Sequence, residues 1–258
     1  MKGNRIQSAY SLYKKYKSKY ITWLVTGRHY ASPIDPFKLL RISPDSIRVY
    51  QRNSSRIQQY DFSISEVRSG DWDKQVDEFR EIDYYSSFVD HFEYDVPWKQ
   101  TEWVQRVFDE IESGIPIRNC TTEKEFLDHC SEIDELYERI RTEGYKTQRE
   151  LLRETPSDKF NRRWAYYCPN LHEITVNIGR DGEFIFEDGW RRFVIADLLN
   201  ISTVPVRVNL RHSAWQRRRD AISRQRESEI DYQHPDLLGL RQGSEDQFQQ
   251  KRQSGHLP

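Results

Sequence analysis

The sequence predicts an α+β protein: a small mixed sheet built on a hairpin–helix–strand core, with a helical bundle inserted into it or flanking it. Three observations predict this. Between Glu173 and Val208, three short runs alternate apolar and polar residues around one apolar run of helical length. Residues 101–144 carry apolar stripes at helical spacing, closed by Gly114 and Gly144. In a chain of 258 residues, 13% aromatic content argues against wholesale disorder, while 31% charged residues imply polar ends around a folded middle.

Residues 1–34 hold Lys2, Arg5, Lys14, Lys15, Lys17, Lys19 and Arg28 and no acid before Asp35. Tyr10, Tyr13, Tyr16, Tyr20 and Trp23 are interleaved with these cations, which describes a basic aromatic N-terminal helix. Such a helix binds nucleic acid or an anionic membrane surface, or packs its tyrosines on the domain while its lysines face water; all three readings stay open. Ile21–Val25 is too short for the apolar centre of a signal peptide, and no stretch approaches a transmembrane length.

Pro33 and Pro36 mark the start of the main domain, residues 35–222. Phe37–Pro44 reads as a short strand, and Asp45–Tyr50 follows it toward the same sheet. Ile64 and Val67 suggest a strand before the turn at Gly70–Asp73. Tyr84, Tyr85, Phe88, Phe92, Tyr94 and Trp98 are either an aromatic core or a platform for stacking bases. Asp90, His91 and Glu93 alone make a weak metal pattern.

An inserted helical segment, residues 100–144, comes next. Thr101 opens a helix with Trp103, Val104, Val107, Phe108 and Ile111 on one face. Thr122 and Glu125 are spaced as a capping box for a second helix carrying Phe126, Cys130, Ile133 and Ile140. In Tyr145–Leu152, Thr147 and Gln148 suit the cap of a short helix. Lys159, Arg162 and Arg163 add cations before the sheet.

Ile174, Val176 and Ile178 form a strand with the period of a half-buried one. Gly179–Gly182 makes a hairpin turn, and Phe184 and Phe186 continue on the second strand. Asp188-Gly189 opens a helix whose Phe193, Val194, Ile195, Ala196, Leu198 and Leu199 leave little polar surface, so it is buried. Asn200 suits a left-handed cap, and Val204, Val206 and Val208 form a last strand that Pro205 places at an edge. Ser213 then caps a basic helix with Arg217, Arg218 and Arg219, a nucleic-acid footprint or a solubilising face. Residues 223–258 lose periodicity and read as a disordered polar tail.

Cys120, Cys130 and Cys168 are widely spaced and odd in number, so no disulfide partner is expected and a reducing, cytoplasmic setting is the simpler assumption. No histidine lies at metal-ligand spacing from another, and no metal site is expected. Asp181, Glu183, Glu187 and Asp188 suit turns and strand ends, or two of them could hold a divalent ion beside a nucleotide.

The chemistry lies where the buried helix begins. Arg191 and Arg192 occupy its first turn, where the helix dipole disfavours cations by about 0.3–1 kcal/mol each. A glycine-led turn, free backbone N–H groups and two guanidinium groups together form a phosphate site; two solvated arginines are the plainer alternative.

The run Asp-Gly-Trp-Arg-Arg-Phe-Val-Ile-Ala-Asp-Leu-Leu-Asn-Ile-Ser-Thr-Val-Pro-Val-Arg-Val resembles the glycine–arginine box of the ParB/sulfiredoxin superfamily. In that family a turn of this kind starts a helix, a Val-Pro-Val strand follows, and a nucleoside triphosphate binds at the turn. The resemblance covers Glu173–Val208, with a looser echo in Gly144–Gln148. It implies phosphate contacts from Gly189, Arg191 and Arg192, with Asp188 beside them and Lys146 and Gln148 opposite, and magnesium arriving with CTP or ATP. Trp190 stands where sulfiredoxin has its cysteine, and the family's second phosphate motif is not visible. The chain is therefore not expected to be a sulfiredoxin. The expected function is a nucleotide- or phosphate-binding ParB-like domain acting as a switch or, at most, a nucleotide hydrolase, phosphotransferase or nuclease. Two alternatives stand beside it: DNA or RNA binding through Lys14, Lys15, Lys17, Lys19 and Arg217–Arg219, and an interaction protein peripheral to an anionic membrane.

Overall fold

The computed structural model describes residues 16–17, 20–21, 30–32, 34–51, 65–154, 169–224, 233–238 and 240. It is an α+β fold with strands β1 (Leu39–Ile42), β2 (Ile47–Gln51), β3 (Glu66–Arg68), β4 (Val76–Glu78), β5 (Ile174–Ile178), β6 (Phe184–Asp188) and β7 (Val204–His212). The helices are α1 (Asp83–Tyr94), α2 (Glu102–Glu112), α3 (Glu123–Glu143), α4 (Gln148–Glu154), α5 (Trp190–Leu198) and α6 (Ser213–Ser223).

The seven strands form one mixed sheet in the order β1-β7-β5-β6-β2-β4, with β3 also on β7. One side of β7 carries β1 antiparallel along Val204–Arg207 and then β3 parallel along Leu210–His212. Its other side carries β5 in parallel. The edge position inferred from Pro205 is thus corrected: β7 lies inside the sheet. Pro205 is only its second residue, so one missing N–H removes a single rung and leaves the ladder beyond it intact.

The hairpin forms as expected, with Gly179 N–H donating to the Glu183 carbonyl at 3.0 Å. At Gly182, φ is +99° and a Cβ would lie 2.5 Å from the Trp215 ring, so only glycine fits there. The half-buried character of β5 is not found. Thr175 and Asn177 are as buried as Ile174, Val176 and Ile178. On the face opposite the helices Ile185 packs with Trp72 and Leu210, so alternation separates two buried faces here rather than core from water.

Against the other face, α5 presents Phe193, Val194, Ile195 and Ala196, all 0% exposed. Full burial stabilises by about 1.5–3 kcal/mol for each large apolar side chain. Around α5 lie α1 and α3, with α2 packed on α1. The aromatic stretch is helix α1 followed by a turn, and its rings are core apart from the exposed Tyr94: Phe88 lies 5.2 Å from Trp98 and Phe92 stacks on Tyr137 at 3.9 Å. His91 is structural, bonded to the Val96 carbonyl and to Asp134. The expected box at α3 forms with a shift of one residue. Thr122 Oγ1 accepts from Glu125 N–H, while the Glu125 carboxylate accepts from Thr121 N–H at 2.7 Å.

Two further expectations are corrected at the C-terminal end. His212, not Ser213, caps α6, its Nδ1 accepting from Ala214 N–H. Within the tail read as disordered, Asp236 and Leu237 are buried. Asp236 takes two hydrogen bonds from Arg211, at 2.9 and 2.7 Å, and one from Trp215 Nε1 at 3.0 Å. His234 reaches the Gly182 carbonyl at 2.9 Å.

Candidate functional site

Gly189 is the N-cap of α5, with φ +98°, and a Cβ there would sit 3.0 Å from the Ile174 backbone. Glycine therefore lets the turn press on β5 while leaving the first-turn N–H groups without a side-chain cap. Asp188, exposed beside it, accepts from Gly189 N–H at 2.7 Å.

Arg191 and Arg192 leave the helix toward different partners. Arg192 donates to the His172 carbonyl and lies 3.4 Å from Glu173 Oε2. The other oxygen of Glu173 accepts from Gln148 N–H at 2.7 Å, at the start of α4. Burial pushes the Glu173 carboxyl up to about 7, against the pull of Arg192 and the Gln148 N–H. This carboxylate thus occupies the place that the sequence assigned to a phosphate between Arg192 and Gln148. Lys146, expected opposite the arginines, is held between Glu143 and Glu154 at 2.7 Å each. Thr147 caps α4 as expected, exchanging hydrogen bonds with Glu150.

Arg191 is held more loosely. Among the described residues its nearest carboxylate oxygen, on Glu132 of α3, is 3.8 Å away, and 27% of the side chain is exposed. The same Glu132 oxygen lies 3.6 Å from His129 Nδ1. Burial, then the charge of Arg118, draws Arg191 below the usual arginine range. Burial, Arg191 and Arg118 together push His129 down to about 4, so its ring is neutral near pH 7. Burial raises Tyr84, opposed by the charges of Arg118 and Arg191. Arg191 and a neutral imidazole thus share one carboxylate. Trp190 turns away into the core, stacked on Phe79 at 5.1 Å.

Tyr84, Arg118, His129 and Glu132 were not singled out by sequence reasoning for this site. They belong to helices and a loop far from the glycine turn in the chain, and no local pattern links them. Glu173 was read only as the start of a strand.

The basic helix is corrected in part: Arg217 is exposed and Arg218 lies over the Trp215 ring at 5.6 Å, but Arg219 is 3% exposed and faces Asp236. Lys17 is exposed. Lys14, Lys15 and Lys19, with Lys159, Arg162 and Arg163, lie outside the described residues. Among the described residues no group of three or more His, Cys, Asp or Glu is placed to hold a metal, and no helix is long and apolar enough to cross a membrane. No protein-family model matches the chain, no curated protein matches it, and no solved structure matches it.

Proposed function

We propose that this chain is a nucleotide- or phosphate-binding protein of ParB/sulfiredoxin type, holding the phosphate of a nucleoside triphosphate at the first turn of α5. The observation that carries the reading is Arg191. It stands at a glycine-led helix start with no carboxylate oxygen within hydrogen-bonding distance among the described residues, while Arg192 is committed to Glu173 and His172. Division of labour follows: Arg191 meets the ligand and Arg192 holds the architecture behind it. Magnesium bound to the triphosphate would offset part of its charge.

Calorimetric and thermal-shift titrations with CTP, ATP and their diphosphates, in magnesium, test this. Arg191→Ala should weaken binding by about tenfold or more, since a charge-assisted hydrogen bond is lost. Arg192→Ala should act first on stability. Lack of any nucleotide response from the intact chain overturns the reading.

A further inference from the structure

We infer that residues 234–237 form an acid-sensitive latch: a neutral His234 ring straps the tail across the β5–β6 hairpin and α6, and a proton on its Nδ1 loosens the strap over an aromatic, doubly cationic floor.

The latch is built from four consecutive residues. Pro235 fixes its own φ near the value that the second position of a β-turn requires, and the turn closes with Leu237 N–H donating to the His234 carbonyl at 2.9 Å. Inside that turn Asp236 N–H donates to His234 Nδ1 at 3.1 Å. A backbone N–H can only donate, so Nδ1 is an acceptor and carries no proton. The ring's one proton is therefore on Nε2, which donates to the Gly182 carbonyl at 2.9 Å. Both nitrogens are used, and only the neutral ring in this tautomer can use them so. The half-buried ring stacks on Phe184 at 4.8 Å and meets Trp215 edge-on at 4.5 Å. Leu237 completes the strap, 2% exposed in the core.

A proton on Nδ1 sets two donors against each other inside the turn. The charges around the ring come from three elements. Arg211 of β7 and Arg218 of α6 oppose a positive imidazole, and Asp236 of the strap favours one. Asp236 is already engaged by Arg211 and by Trp215 Nε1, with Arg219 Nε 3.2 Å away. On the hairpin, Arg180 is paired with Asp71 and Asp73, and Asp181 and Glu183 are exposed. Burial outweighs the pull of the Gly182 carbonyl and Asp236 and draws His234 below the ordinary 6.5. Against the cost of its own burial, Asp236 is held well below the usual carboxylate range by Arg211 and Arg219, so it stays charged in mild acid. The ring is thus the trigger. Its contribution to closure is full above 6.5 and is lost as pH falls toward its lowered value. When the strap lifts, Phe184 and Trp215 lose their cover, and Arg211 and Arg219 lose their shared carboxylate.

Amide hydrogen exchange of the intact chain from about pH 7.5 to 5 tests this, corrected for intrinsic rates with a free peptide of the strap sequence and run beside the titration of the His234 C2 proton. Opening at Asp236 and Leu237 should rise by up to about tenfold per pH unit below 6.5, while amides of β5 and β7 stay protected. His234→Asn offers a side-chain oxygen to the Asp236 N–H, and His234→Gln an amide to the Gly182 carbonyl, and neither titrates. In both variants the strap should open to the same extent at every pH.

A parent strap as protected at pH 5 as at pH 7.5 overturns the inference. So does a pH response that persists in both variants, or a loss of protection that strap and sheet share. If both variants are already open at neutral pH, the parent's two curves decide. Opening that follows the ring's titration keeps the inference, and titration without opening overturns it.

Discussion

Glu173 and Arg192 meet at 3.4 Å with the carboxylate side chain 1% exposed, and the same carboxylate accepts the Gln148 N–H. A protein carboxylate here stands where an outside oxyanion could otherwise lie, joining the starts of α4 and α5. Its proton affinity makes the junction sensitive to pH. The carboxyl titrates at about 7 in the native chain against 4.5 ordinarily, so between those values the native state holds a proton that the unfolded state has released. The stability from this group is full below about 4.5 and is lost as pH rises to about 7. Denaturant midpoints of Glu173→Gln and the parent chain, compared across pH 4–8, should show the variant gaining on the parent through this interval; a constant difference would disprove the shift.

His129 works in the opposite sense. Its native value of about 4 lies below the ordinary 6.5, so its contribution is full above about 6.5 and is lost as pH falls toward 4. Imidazole resonances assigned with a His129→Gln variant should titrate near 4 without ligand. A free-chain midpoint near 6.5 would contradict the burial described for this ring.

Gly189→Ala should destabilise the chain by about 1–3 kcal/mol, because φ there is +98° and the new Cβ would press on the Ile174 backbone at 3.0 Å. Urea denaturation measures this. An unchanged midpoint would mean that the turn tolerates another conformation.

Asp236→Ala should cost about 3–5 kcal/mol, since it leaves Arg211 and Arg219 buried without their shared carboxylate. Residues 233–238 should become sensitive to protease in the same variant. A loss under about 1 kcal/mol, typical of exposed pairs, would show that the cluster is hydrated.

Much of the frame is legible in the chain because turns and caps are local. Gly179–Gly182, Gly189 and Asn200 announce themselves through backbone conformations that few other residues adopt. What escapes reading depends on neighbours distant in sequence. Thr175, Asn177 and Glu187 look like solvent-facing positions until the second face of the sheet is seen to be covered. Arg219 sits in a run of three arginines that reads as surface, and only Asp236 explains its burial. At the site, the glycine turn and Arg191 could be found. Arg118, His129 and Tyr84 could not, since no helical or strand period relates a loop, α3 and α1 to one another.

Strand β7 binds three others, yet it is the last strand made among the described residues. On the ribosome, β1 and β3 must wait for it with their hydrogen-bonding edges open, since β7 pairs with both. The helical layer can assemble early from local contacts, but the sheet closes only once β7 has been made, and the Asp236 lock follows later still. Nascent chains stalled before Val204 should therefore keep the sheet-forming half accessible to protease, and those carrying Leu240 clear of the exit tunnel should not.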